Sequence, residues 1–123
     1  MTVVHLGNHL KMNLPVQLRS RARDFYSGLL ECKILESPRA DLDLCEFAGG
    51  EVLGFFFVAA SDAPSEADYL KATWLEIKVD DPAHWKARLQ AFGVKEVNFP
   101  DPTRFYFQAP GGPVFRLAPM GGL

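Results

Sequence analysis

Cysteine is scarce in this chain: Cys32 and Cys45 are the only two, too few for a disulfide framework and without the spacing of a metal cluster. Both read as reduced thiols inside a core. Long apolar runs are missing too, since none approaches the roughly 20 residues that a membrane-spanning helix requires. The first residues, MTVVHLGNHLK, lack the apolar segment of a secretory leader, so the expected location is the cytoplasm. Positive charge is not in excess. With a formal net charge of -2 and a pI near 5.9, neither nucleic acid nor a membrane surface is an expected partner. No phosphate-cradling glycine loop is present, and no Ser-His-Asp or Cys-His set can be assembled by motif.

What the sequence does contain is a repeat. FYFQAPGGPVFRLA (105–118) places a glycine pair between two alternating apolar runs, the pattern of a β-hairpin whose turn uses positive φ. Sixty-two residues earlier stands LCEFAGGEVLGFFF, with Gly49-Gly50 in register with Gly111-Gly112, Val52 with Val114 and Leu53 with Phe115. A second echo lies upstream, where LKMNLPV (10–16) matches WLEIKV (74–79) at an offset of 63. Each of these strands precedes an amphipathic stretch. One supersecondary unit is therefore written twice in 123 residues, a length with room for a real core.

In chain order, Leu10, Met12, Leu14 and Val16 alternate with His9, Lys11, Asn13 and Pro15, which predicts a strand with one core face. A helix is predicted from about Arg19 to Leu30, with Ala22, Phe25, Tyr26 and Leu29 inward and Arg19, Arg21, Arg23 and Asp24 on a solvated face. Short strands follow at about 32–36, 42–47 and 51–58. LGFFFVAA is apolar on both faces, so its strand needs cover on both sides. The stretch SDAPSEA reads as a linker (about 61–69) between a first module (about 8–60) and a second (about 70–120). A strand at 73–79 then leads into DDPAHWKARLQAFG, in which Asp81 caps, Pro82 takes the first helical position and Gly93 ends the helix. Strands at about 95–98, 104–108 and 114–118 complete the second unit.

A doubled βαβββ unit with V-x-L-x(5)-DFYSGLL after its first strand and FYFQAPGGPVFRL near its end resembles the glyoxalase/bleomycin-resistance/extradiol-dioxygenase group, the vicinal oxygen chelate superfamily. The resemblance covers nearly the whole chain. It implies an α+β fold of two βαβββ modules, forming a curved mixed sheet around a cleft with one helix outside each module. A homodimer is implied too, with modules pairing within a chain or across chains. Two departures stand in the second hairpin: Ala109 where an aspartate is usual, and Arg116 where the metal-binding glutamate is usual. Carried over residue by residue, the four metal-ligand places of the family are Lys11, Gly54, Trp74 and Arg116, none of which is a usual ligand. No metal and no cofactor are therefore expected.

Strand parity puts Lys11, Asn13, Trp74, Glu76, Lys78 and Arg116 on the face opposite the helices. Tyr106 stands where the fosfomycin-resistance members place a substrate-binding tyrosine. Lys11, Asn13, Trp74, Tyr106 and Arg116 are thus the candidate ligand-binding residues, and Glu76 is the candidate general base. Each has a structural alternative: an ion pair for Lys11, Glu76 and Arg116, cavity filling for Trp74, and a hydroxyl satisfied within its own sheet for Tyr106. His9 shares the face of Lys11 but lacks ligand partners, and His5 and His84 read as exposed. The expected function is binding of an anionic or aromatic small molecule without the family metal. The alternatives are a lyase, isomerase or dioxygenase acting with an unusual metal or none, and a chain with a filled cavity that acts through protein contacts.

Overall fold

In a computed structural model residues 2–121 are described. Among them eight strands and three helices follow the doubled order: β1 (Leu10–Pro15), α1 (Arg19–Arg23, continued by a π-helical Asp24–Leu29), β2 (Lys33–Leu35), β3 (Leu42–Glu46), β4 (Val52–Val58), α2 (Glu66–Leu70), β5 (Leu75–Val79), α3 (Pro82–Phe92), β6 (Lys95–Glu96), β7 (Phe105–Gln108) and β8 (Val114–Pro119). Two mixed four-stranded sheets result, in the orders β1-β4-β3-β2 and β5-β8-β7-β6. In each, the first and last strands of the unit run parallel and the others antiparallel.

Both hairpins close with the same hydrogen bond, 62 residues apart: Gly50 N–H donates to the Phe47 carbonyl and Gly112 N–H to the Ala109 carbonyl, each at 2.9 Å. Positive φ is taken by both Gly111 and Gly112 but only by Gly50 of the first pair. The opening strands follow a different offset from the predicted one. Leu10 lies opposite Leu53 and Leu75 opposite Phe115, so with the hairpins 62 apart these strands are 65 apart and Lys11 aligns with Glu76. Trp74 precedes β5.

The two residues by which 65 exceeds the predicted 63 fall in the connector, which is folded. Ser65 and Asp68 form a reciprocal capping box at the start of α2, and Tyr69 is buried with its hydroxyl donating 2.6 Å to the Asn13 carbonyl. The predicted linker SDAPSEA thus carries the start of α2.

The core lies between the helix-bearing faces of the two sheets. Phe25 and Tyr26 are adjacent in sequence and both fully buried, because α1 has a sheet on either side. Tyr26 packs on Phe55 of the first sheet and reaches Phe115 of the second, while Phe25 meets Phe92 of α3 and Phe107 of β7. Burying each such ring is worth about 1.5–3 kcal/mol. On the other side of α1 the predicted solvated arginines are engaged. Asp43 points inward from β3 and is 3% exposed, and its charge is met by Arg23 Nε and Nη2 and by Arg19 Nη2, each at 2.8 Å. Arg21 stacks 3.8 Å over the Phe92 ring and donates to the Phe92 carbonyl. An inward aspartate requires countercharges, and the nearest helix face supplies them.

Candidate functional site

The faces turned away from the helices carry the predicted residues, and the second sheet gathers most of them. β5, β8 and β7 are consecutive neighbours, so Glu76 lies opposite Arg116 and Arg116 opposite Tyr106. Arg116 Nε donates to Glu76 Oε2 at 2.6 Å. The Tyr106 hydroxyl and then Glu76 hold the guanidinium above its ordinary pKa. Tyr106 in turn donates 3.1 Å to Asp101 Oδ2. The Asp101 carboxyl sits below the usual carboxylate range because Thr103 donates to it through both hydroxyl and backbone N–H, with Tyr106 a smaller contributor. The result is a fixed chain of polar groups, Glu76 to Arg116 to Tyr106 to Asp101, along one sheet face.

An aromatic cluster borders this chain. Trp74 stands edge-on to Phe99 at 5.1 Å and 5.7 Å from Tyr106, and Phe99 lies 4.8 Å from Tyr106. The indole N–H of Trp74 is taken by the Leu70 carbonyl at the end of α2. Phe99 remains 43% exposed, so the cluster keeps an open side. Phe99 and Asp101 were not among the predicted residues. They come from the aperiodic NFPDPT loop between β6 and β7, where the one legible signal is the Asp101-x-Thr103 turn.

Lys11 and Asn13 are placed elsewhere, on the corresponding face of the first sheet. Lys11 Nζ lies 4.8 Å from the centre of the Phe56 ring, which Arg39 approaches from 5.2 Å. LGFFFV is thus covered on its inner face by α1 and only partly on its outer face by two cation–π contacts. Lys11 also lines a groove of about 180 Å³ between β1 and β5, with Tyr69, Thr73 and Leu75 among its walls. Among the described residues, neither Lys11 nor Asn13 hydrogen-bonds or ion-pairs with Trp74, Glu76, Tyr106 or Arg116 through its side chain.

Lys11, Gly54, Trp74 and Arg116 offer no imidazole, thiolate or carboxylate, and the register correction that brings in Glu76 adds one carboxylate already paired with a guanidinium. Such a set does not fit a divalent cation. Among the described residues no group of three or more His, Cys, Asp or Glu side chains converges. His9 is exposed. No described helix is long and apolar enough to cross a membrane.

No family model and no curated protein matches the sequence. Solved structures do match the fold. A Bacillus anthracis protein named for the glyoxalase family superposes with a TM-score of 0.73 at 16% identity, over 97% of this chain and 98% of that one. TnmS3, an antibiotic binding protein from Streptomyces sp. CB03234, gives 0.61 at 23% identity over 97% and 98%. The fosfomycin resistance protein FosX of Listeria monocytogenes, in its complex with Mn(II) and sulfate, gives 0.71 at 14% identity over 99% and 94%. The two-module α+β architecture is the one these structures share.

Proposed function

We propose that this protein binds an aromatic small molecule bearing an anionic or hydrogen-bond-accepting group, on the face formed by Trp74, Phe99, Tyr106 and Arg116, and that it does so without a metal such as the Mn(II) of the FosX complex. The observation that supports this most is the open aromatic cluster set beside a guanidinium that the sheet holds in place. A planar ligand would lie against Phe99 and Trp74, and the Nη groups of Arg116 would meet its acceptor. Glu76 in this reading orients Arg116 through Nε, its ion-pair role standing in place of proton transfer. That a structural neighbour is an antibiotic binding protein supports the binding class.

The location is proposed to be the cytoplasm and the assembly a homodimer. The outer face of the first sheet, with Leu44, Phe56 and Val58 only partly covered, would supply an apolar contact, and Lys11 and Asn13 would reach a ligand across such an interface. A melting screen of aromatic acids and neutral aromatics tests the binding reading. A ligand must raise the Tm by mass action, and Arg116→Met and Trp74→Ala must each abolish the shift. A shift that survives both variants places binding elsewhere and overturns the reading. Stoichiometric metal in the purified protein by elemental analysis would overturn the metal-free part.

A further inference from the structure

A cavity adjoins the Trp74 cluster and shares Phe99, Asp101 and Tyr106 with it. It is a notch of about 540 Å³ between that loop and the start of α3, within the range of small-ligand sites. Its apolar walls are Val97, Phe105 and Leu117, at the margin of the helix-bearing face of the second sheet that α3 leaves uncovered. Lys86 and Arg104 provide its cations. Lys86 Nζ hangs 5.4 Å from the centre of the Phe105 ring. Arg104 spends one Nη group on the neighbouring Thr103 carbonyl at 2.9 Å, while its Nε is buried with no partner.

Neither cation has a carboxylate within ion-pair distance among the described residues. The two acids in the notch are differently placed: Asp101 already accepts from Thr103 and Tyr106, and Glu96 faces Gln90 at 3.5 Å. Arg104 Nε is thus an unused buried donor in the notch. A buried guanidinium N–H without an acceptor carries a desolvation cost that a bound acceptor would relieve.

From the buried free Nε of Arg104, the nearby Lys86 and an aromatic wall, we infer that the notch is a binding site for an aromatic carboxylate, adjoining the Trp74 face and differing from it in its anion-binding groups, Arg104 and Lys86 in place of Arg116. The ring lies on Phe105 and Val97, and the carboxylate sits between Arg104 and Lys86.

The test uses 1-naphthoate and its neutral analogue 1-naphthylmethanol as probes, titrated into the full chain by calorimetry and followed by amide chemical shifts. Naphthoate binds saturably, moving amides of residues 97–105 and of the first turn of α3. Arg104→Gln and Lys86→Gln each weaken it by about tenfold, equivalent to about 1.4 kcal/mol. Naphthylmethanol binds at least tenfold more weakly, and the naphthoate-induced shifts in the first turn of α3 persist in Arg116→Met, which abolishes only binding at the Trp74 face. Lys86 is exposed on its helix, so Lys86→Gln keeps the test valid where Arg104→Gln disturbs the loop. Absence of saturable binding, equal affinity for the neutral analogue, or affinity unchanged in Lys86→Gln and Arg104→Gln overturns the inference. Loss in Arg116→Met alone overturns it while supporting the Trp74 face.

Discussion

Replacing Asp43 by asparagine probes the clamp between α1 and the first sheet. Three hydrogen bonds of 2.8 Å from two guanidinium groups converge on this carboxylate, whose side chain is only 4% exposed. Asparagine keeps the shape but removes the charge and turns one acceptor into a donor aimed at an arginine. Hydrogen bonds to charged groups are worth about 1.5–3 kcal/mol each. One bond is lost with the amide nitrogen at the Oδ2 place and the other two lose their charge, but the Arg19 and Arg23 side chains are 26% and 47% exposed and recover part of their hydration. A loss of about 3 kcal/mol results, which for a domain of this size lowers the Tm by roughly 10 °C. Urea unfolding of wild type, Asp43→Asn, Arg23→Gln and the double variant measures it. The double variant is expected to be less destabilised than the sum of the singles.

The pH dependence gives a second readout of the same group. Burial pushes the Asp43 carboxyl up, but the hydrogen bonds and charges of Arg23 and Arg19 outweigh it, and its folded pKa lies below its ordinary value. A depressed carboxyl stabilises the fold fully above the unfolded pKa of about 3.9 and loses that contribution as pH falls through the folded value. The gap between wild type and Asp43→Asn is therefore constant near neutrality and closes in acid. A gap below about 0.5 kcal/mol at pH 7, the level of an ordinary surface change, or one that persists at the acid end, would refute the reasoning.

Four further outcomes are expected. Gly50→Ala and Gly111→Ala both force alanine into a left-handed conformation at about 1–2 kcal/mol. Gly111→Ala also drives its Cβ to 2.6 Å from Leu14 Cδ2, whereas nothing lies within 4 Å at Gly50. Melts should therefore rank Gly111→Ala as the more destabilised by about 1–3 kcal/mol, and equal losses would contradict the packing. Tyr26→Phe should be neutral or stabilising, because the Tyr26 hydroxyl is buried without a partner; a loss above about 1 kcal/mol would reveal a satisfied hydroxyl. Burial pushes both Cys32 and Cys45 thiols up to about 12, so a disulfide thiol reagent at pH 8 should titrate neither in the folded protein and both in urea. Tyr69→Phe removes the bond to the Asn13 carbonyl and should cost about 1 kcal/mol by urea titration.

Much of the fold was legible because strands announce themselves by alternation and the hairpins by their glycines. The offset of the opening strands was not. Offsets of 63 and 65 differ by two residues and leave every side chain on the same face, so apolar patterning cannot tell them apart. Only the sheet register does, and it moves Glu76 into line with Lys11. The same parity explains which site residues came together: Glu76, Arg116 and Tyr106 sit on adjacent strands, while Lys11 and Asn13 belong to another sheet. Phe99 escaped notice because a loop has no period to betray which way a ring points. The arginines of α1 escaped because nothing in a helical pattern reveals that Asp43, on a distant strand, faces inward.

The position of α1 governs how the two repeats share stability. Phe25 and Tyr26 draw contact from both sheets, so excising either repeat would strip the other of surface against which these rings pack. Two copies of one unit have therefore lost the capacity to melt independently. Heat and denaturant should give a single transition, with calorimetric and van't Hoff enthalpies in agreement, and amide exchange in the cores of both sheets should proceed at one common free energy of opening.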